Sequence, residues 1–148
     1  MGHLRDVKDP FRTAHAVRLL PPNSKIEAIH LGNALDKKME MLAMEENQSN
    51  DRYTWLGGVT RAKALKILMG CRLLVHTSKM EGGANAVSEA ISLGVPVLST
   101  KISGSIGLLG TSYPGYFETG NIKELAKLLE KTEQNESFYQ LLYNHTSS

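Results

Sequence analysis

The sequence is poor in the features that define several protein classes. It has one cysteine in 148 residues, so it forms no intrachain disulfide and is typical of a reducing compartment. No apolar run is long enough to cross a bilayer, and residues 1–10 carry no apolar signal region. The 17 basic and 15 acidic residues nearly balance. We therefore expect a cytoplasmic protein with no nucleic-acid partner and no direct membrane insertion.

Metal-binding and thiol motifs are also missing. The five histidines are scattered without the spacing of a metal site, so neither a metal nor a cofactor is expected; they are His3, His15, His30, His76 and His145. Cys71 has no histidine or acid partner in a recognisable local pattern, which argues against a catalytic thiol.

Apolar, β-branched stretches alternate with helical patterns along the chain. Strands are predicted over residues 26–31, 53–56, 73–77 and 95–100. Helices are predicted over residues 10–20, 35–47, 83–93 and 121–130, and a further one follows Thr60. Strands separated by helices imply parallel pairing. The prediction is one α/β domain over residues 1–148, a Rossmann-like open parallel sheet flanked by helices.

Caps and turns refine this prediction. Asp9 is expected to cap the first helix with Pro10 at its first position, and Gly94 to close the fourth. Residues 45–51 are expected to form a polar loop, and Gly104, Gly107 and Gly110 a glycine-rich one. The tail from residue 144 onward is expected to fray.

The start of the sheet departs from the usual order. A parallel sheet of this type has an apolar strand just before its first turn, and only Met1 precedes Gly2. We therefore expect a domain without its usual first strand. An exposed neighbouring edge and apolar surface near Gly2 would favour association, for example as a homodimer.

The segment SKMEGGANAVSE, residues 78–89, is the most informative one for function. Gly82 and Gly83 let the backbone approach a ligand closely, and the helix N-terminus that follows suits a phosphate or sugar hydroxyls. Asn85 and Glu89 are four residues apart and share one helix face. A carboxylate accepts hydrogen bonds from vicinal hydroxyls of a sugar or ribose. From the residues alone, a plain turn with Glu81 as an acid near the helix start is an alternative.

The ordered set of motifs resembles a known family. Glu81 and Glu89 with seven residues between them, followed by GVPV at 94–97, are similar to the signature of the family-four retaining glycosyltransferases (glycosyl transferases group 1) of the GT-B fold. Residues 2–9, GHLRDVKD, resemble the family's Gly-Arg-Leu…Lys turn, although His3 stands where the family has its arginine. The segments EGGANAVSEA and GVPVLS are also similar to a small clade that includes the selenosugar synthases.

The resemblance assigns roles to individual residues. Glu81 would contact the donor sugar, and Glu89 would hold the ribose hydroxyls. Arg5 and Lys8 would neutralise the diphosphate of the leaving group. Further donor contacts would come from Gly82, Gly83, Ala84 and Asn85. The stretch of Gly57, Gly58 and Val59 would meet the nucleotide base, although a simple tight turn is an alternative.

The resemblance implies one half of a GT-B enzyme. This half would bind a nucleotide-sugar, expected to be a UDP-sugar, and the family's N-terminal acceptor-binding domain would be its partner. Such a half alone is expected to be inactive as a hexosyl- or N-acetylhexosaminyl-transferase. The alternative is a non-catalytic α/β nucleotide-sugar-binding or assembly module. The joint retention of Glu81, Glu89 and Lys8 favours the enzyme.

Overall fold

Polar side chains at helix starts determine where several helices begin. The computed structural model describes residues 8–80 and 85–147. Lys63 N donates to Thr60 Oγ1 (3.2 Å) and Glu124 N to Asn121 Oδ1 (3.0 Å), so both residues cap helices as N-caps do. Gly94 closes its helix with a φ of +71°, a conformation that favours glycine. The helices are α1 (Arg12–Val17), α2 (Lys37–Ser49), α3 (Arg61–Met69), α4 (Asn85–Leu93), α5 (Ser103–Leu109), α6 (Ile122–Gln134) and α7 (Glu136–Ser147).

Short parallel strands alternate with these helices. They are β1 (Ala28–Leu31), β2 (Tyr53–Gly57), β3 (Leu74–His76), β4 (Val97–Thr100) and β5 (Tyr116–Phe117). Within the described residues the strands form two sheets: β1 pairs with β2, and β4 lies between β3 and β5. All pairs are parallel, with Ala28 opposite Tyr53 and Leu74 opposite Val97. This pairing confirms the α/β prediction.

Strand β4 shows how the two layers of helices are held. All four of its residues are buried, and its neighbouring side chains project to opposite faces. Leu98 packs in a core cluster with α1, α6 and α7, whereas Val97 packs in a second cluster with α3 and α4. The helices therefore cover both faces of the strands, as expected for a parallel sheet.

The start of α1 differs from the prediction. Asp9 has a φ of +48° and does not cap the helix; its carboxylate accepts from Arg12 Nε (2.8 Å) and Nη2 (3.1 Å). The N-cap is Phe11, which makes no side-chain cap hydrogen bond. The prediction of a helix over 10–20 capped by Asp9 was therefore wrong in its boundaries, because the carboxylate binds a guanidinium instead of backbone N–H groups.

Two predicted loops are helical. Helix α2 continues to Ser49 through most of residues 45–51, and the glycine-rich stretch forms α5. The hydroxyls of Ser99 and Ser105 are 2.7 Å apart in the core, which fixes α5 against β4. The expected frayed tail was also wrong, because Thr146 is buried in α7 and its hydroxyl donates to Leu142 O at 2.9 Å. None of the helices in the described part of the chain has the length and apolar character needed to cross a membrane.

The partly buried His30 on β1 is expected to make the stability of the fold depend on pH. His30 Nδ1 and the Tyr53 hydroxyl share a hydrogen bond of 2.7 Å, and burial lowers the pKa of His30 to about 3. An unfolded histidine has a pKa near 6.5. The unfolded state therefore takes up a proton first as the pH falls, so this contribution to stability is complete above pH 6.5 and declines below it.

We expect the free energy of unfolding to fall by up to about 2 kcal/mol between pH 7 and pH 5, at no more than about 1.4 kcal/mol per pH unit. Urea unfolding across this range measures it. The substitution His30→Gln removes the titrating group and should flatten the profile. An identical slope in His30→Gln would show that another group is responsible.

Candidate functional site

The carboxyl end of β3 holds the polypeptide that leads into α1. The Thr77 hydroxyl, one residue beyond β3, lies 2.9 Å from the carbonyl oxygen of Lys8 and 3.0 Å from that of Asp9. The sharp turn at Asp9, held by its two hydrogen bonds to Arg12, keeps Lys8 at this position. A half-buried lysine is thus fixed at the sheet edge where parallel α/β folds bind ligands.

A residue of β4, Thr100, holds the loop that follows β3. Thr100 Oγ1 donates to the carbonyl oxygen of Ser78 at 2.7 Å, and both residues are buried. This hydrogen bond joins the ends of two neighbouring strands. The chain therefore leaves β3 from a defined point before it reaches α4.

Helix α4 carries two of the predicted ligand-binding residues. Val87 and Ala90 are fully buried against the second core cluster, which fixes the rotation of the helix. Asn85, its first residue, is exposed, and Glu89 lies one turn further on the same face. The Glu89 side chain keeps 18% of its surface accessible and lies 3.5 Å from Nη1 of Arg61. Because the Arg61 side chain is 76% exposed, this ion pair contributes little to stability.

The loop between β2 and α3 lies beside this acid. Gly57 adopts a φ of +71°, a conformation that favours glycine, and Gly58 lies against the Asn33 side chain. Val59 follows and is half-buried. Arg61, two residues later, reaches Glu89, and α3 contacts α4. The structure thus brings the loop of Val59 and the carboxylate of Glu89 to one region.

The predicted site residues divide into two groups. Lys8, Val59, Asn85 and Glu89 lie in the described part of the chain. Arg5, Glu81, Gly82, Gly83 and Ala84 lie outside the described residues. Two neighbours of these residues were missed: Thr77, whose hydroxyl donates to the carbonyl oxygens of Lys8 and Asp9, and Arg61, which lies 3.5 Å from Glu89. Thr77 ends a predicted strand at the ligand-binding edge, so topology could have indicated it, whereas nothing in the sequence marks Arg61.

A large cavity lies mostly apart from the predicted donor site. It has a volume of about 760 Å³ and is located between β1 and β3. Of the predicted site residues in the described part of the chain, Lys8 alone lines it. The cavity is therefore a different feature from the predicted donor site, and the two meet at Lys8.

We expect Thr77→Val to lower the free energy of unfolding by roughly 1 kcal/mol, because it removes the hydroxyl that holds the start of α1. Thr77→Ser keeps that hydroxyl and should retain most of the stability. Urea unfolding of both variants measures the difference. If valine and serine are equally stable at this position, the hydroxyl does not hold the turn.

Comparison with known proteins identifies the family. The model of the family "Glycosyl transferases group 1" matches residues 1–146. No curated protein sequence matches the chain. A crystal structure of Anabaena Alr3699/HepE in complex with UDP and glucose is similar over 99% of this chain, with a TM-score of 0.81 and 23% identity. The chain spans 42% of the length of that protein.

Two further solved structures share the fold. The catalytic domain of the cholesterol-alpha-glucosyltransferase from Helicobacter pylori matches 99% of this chain and 91% of its own, with a TM-score of 0.80 and 24% identity. A mutant form of S. aureus TarM, in a complex that includes UDP, matches 98% of this chain and 30% of its own, with a TM-score of 0.74 and 19% identity. These structural similarities establish the Rossmann-like fold. The family match over residues 1–146 places the protein among the glycosyl transferases group 1.

Proposed function

We propose that this domain binds the nucleotide-sugar donor, a UDP-sugar, of a retaining glycosyltransferase. The observation that carries the proposal is the arrangement at the carboxyl ends of the strands. Thr77 holds Lys8 beside the end of β3, and the largely buried Glu89 lies on the helix that follows the same strand. A cation and a carboxylate at this edge are suited to a diphosphate and to ribose hydroxyls.

Each residue has a role in the proposal. Lys8 neutralises the diphosphate and stabilises the charge that builds on the leaving group. Glu89 accepts hydrogen bonds from the ribose, and Arg61 positions its carboxylate. Val59, beside them, meets the base. Asn85 adds a donor contact from the first turn of α4, whose N-terminus favours negative charge.

The residues outside the described part of the chain complete the site by resemblance. Arg5 joins Lys8 at the diphosphate, and Glu81 contacts the sugar. Gly82, Gly83 and Ala84 add further contacts to the sugar and phosphates. No metal is included, since these cations neutralise the diphosphate.

The ligands of similar proteins support a uridine nucleotide. Anabaena HepE has been crystallised with UDP and glucose and with UDP-glucose, and TarM with UDP. The segments 81–90 and 94–99 also support a finer proposal, membership of the clade that includes the selenosugar synthases. The order of affinity among UDP-glucose, UDP-N-acetylglucosamine and GDP-mannose gives a direct measure of donor choice.

We expect UDP to bind weakly and to stabilise the domain by about 1.4 kcal/mol at ten times its Kd. Glu89→Gln should keep the fold and weaken binding roughly ten- to hundredfold, since a charge-assisted hydrogen bond contributes about 1.5–3 kcal/mol. Calorimetry measures both effects. Glu130→Gln, a half-buried acid on α6, is the matched control and should leave affinity unchanged. Equal affinity for UDP in Glu89→Gln would refute the ribose role.

In our proposal this domain does not supply the binding site for the acceptor. In a GT-B enzyme a second domain holds the acceptor, and positioning two reactants supplies on the order of 7–11 kcal/mol of barrier reduction. HepE, of which this chain spans 42%, has room for such a domain. The alternative function, a non-catalytic binding or assembly module, differs in that no added domain would restore transfer.

We therefore expect the 148-residue chain to transfer sugar at a rate near background. The measurement is transfer from UDP-sugars to a panel of acceptors, with the chain alone and with the acceptor-binding domain of a GT-B relative added. Recovery that depends on Glu81, tested with Glu81→Ala, would support an enzyme half. Robust transfer by the chain alone would refute the proposal that a second domain must hold the acceptor.

A further inference from the structure

The loop after β1 is held against the end of β2. Gly32, the first residue beyond β1, donates its N–H to the carbonyl oxygen of Gly57 at 2.8 Å. Its own carbonyl oxygen accepts from Trp55 Nε1, also at 2.8 Å. Both backbone hydrogen-bonding groups of Gly32 are therefore bound to residues of β2. The residue that follows, Asn33, is thereby placed beside the loop that leads from β2 into α3.

The Asn33 side chain lies directly on that second loop. Its carboxamide is so close to Gly58 that a Cβ added there would overlap both the amide oxygen and the amide nitrogen. Because Gly58 has no side chain, the amide can approach the backbone of the loop. Both residues are exposed to solvent. The contact therefore leaves an accessible amide next to Val59, the residue that meets the base in the proposed function.

The Asn33 amide is not engaged by the protein, unlike the polar side chains of the loop itself. Thr60 Oγ1 accepts from Lys63 N, and Arg61 lies at Glu89. The Asn33 carboxamide makes no hydrogen bond to any residue in the described part of the chain. A carboxamide offers two N–H donors and an acceptor oxygen. It can therefore bind a ligand without first breaking a hydrogen bond within the protein.

The edge of a pyrimidine base is the part of a nucleotide that such an amide can distinguish. Uracil, like thymine, presents a carbonyl oxygen, O4, where cytosine presents an amino group. An amide N–H pairs with the carbonyl oxygen, whereas an oxygen acceptor pairs with the amino group. The ribose and the diphosphate are the same in both nucleotides. Neither Glu89 nor Lys8 can therefore tell one from the other.

We infer that Asn33 reads the base of the donor nucleotide by donating a hydrogen bond from Nδ2 to O4 of uracil. The inference rests on the proposed function, since it requires the ribose at Glu89 and the base beside Val59. These two positions are neighbours, because Arg61 follows Val59 by two residues and reaches Glu89. The base then lies where the loop after β1 meets the loop after β2.

The test compares UDP with CDP in Asn33→Asp by calorimetry. The carboxylate cannot donate to O4 of uracil, but it accepts from the amino group of cytosine. We expect the ratio of the dissociation constants, Kd of UDP over Kd of CDP, to rise at least about tenfold relative to the unsubstituted chain. Both nucleotides carry the same diphosphate, so its repulsion by the new charge cancels in this ratio. An unchanged ratio overturns the inference.

Two further variants make the result specific. Asn144→Asp, at an exposed position of α7, is the matched control and should leave the ratio unchanged. Glu89→Gln should weaken UDP and CDP alike, because both contain ribose. If Glu89→Gln does so while Asn33→Asp leaves the ratio unchanged, the ribose role stands and only the base contact is refuted. If neither nucleotide binds the folded, unsubstituted chain at millimolar concentration, the proposed function and this inference both fail.

Circular dichroism and urea unfolding accompany these titrations. Asn33 is exposed, so Asn33→Asp should retain the fold and nearly all of its stability.

Discussion

The two sheets are held side by side by apolar packing around α1. In the described residues no hydrogen-bonded strand pair connects β1 to β3. Instead Ala16 and Val17 of α1 are fully buried in a cluster that also contains Leu98 of β4, while Ala28 of β1 and Val75 of β3 pack against it. The relative position of the sheets therefore depends strongly on this short helix and its cluster, and Glu133 of α6 adds hydrogen bonds to Ser24 and Lys25 just before β1.

The candidate site depends on the same constraint. Lys8 is placed by the turn before α1 and by Thr77, whereas Glu89 is placed by α4, which packs with β3 and β4. Because α1 contacts both α6 and β1, it links the sheet of β1 and β2 to the core of the other sheet. Arg61, two residues after Val59, reaches Glu89 only if this link holds. A change that displaces α1 should therefore alter the positions of both Lys8 and the residues that follow β2.

The sequence predicted those elements whose cause is local. Strand β4 begins in the apolar stretch of residues 95–98, and Thr60 and Asn121 cap helices through hydrogen bonds to residues three positions on. Helix α5 was missed because two glycines interrupt its apolar pattern, and it is fixed instead by packing against β4. At the site, Lys8 and Glu89 were predicted from the family resemblance of residues 2–9 and of the Glu81–Glu89 segment. Thr77 and Arg61 act across 69 and 28 residues of sequence, a distance over which local patterns carry no information.

The central claim is that a nucleotide binds at the carboxyl ends of the strands, beside Lys8, Val59 and Glu89, and not in the cavity between β1 and β3. The most direct test is a UDP titration of the ¹⁵N-labelled chain followed by amide chemical shifts. The account predicts that the largest shift changes fall on Lys8, Val59, Thr77, Asn85 and Glu89, with small changes at Ala28 and Ile29. Shift changes centred on β1 and on Leu74 and Val75 of β3, or no shift changes at millimolar UDP in a folded chain, would contradict it.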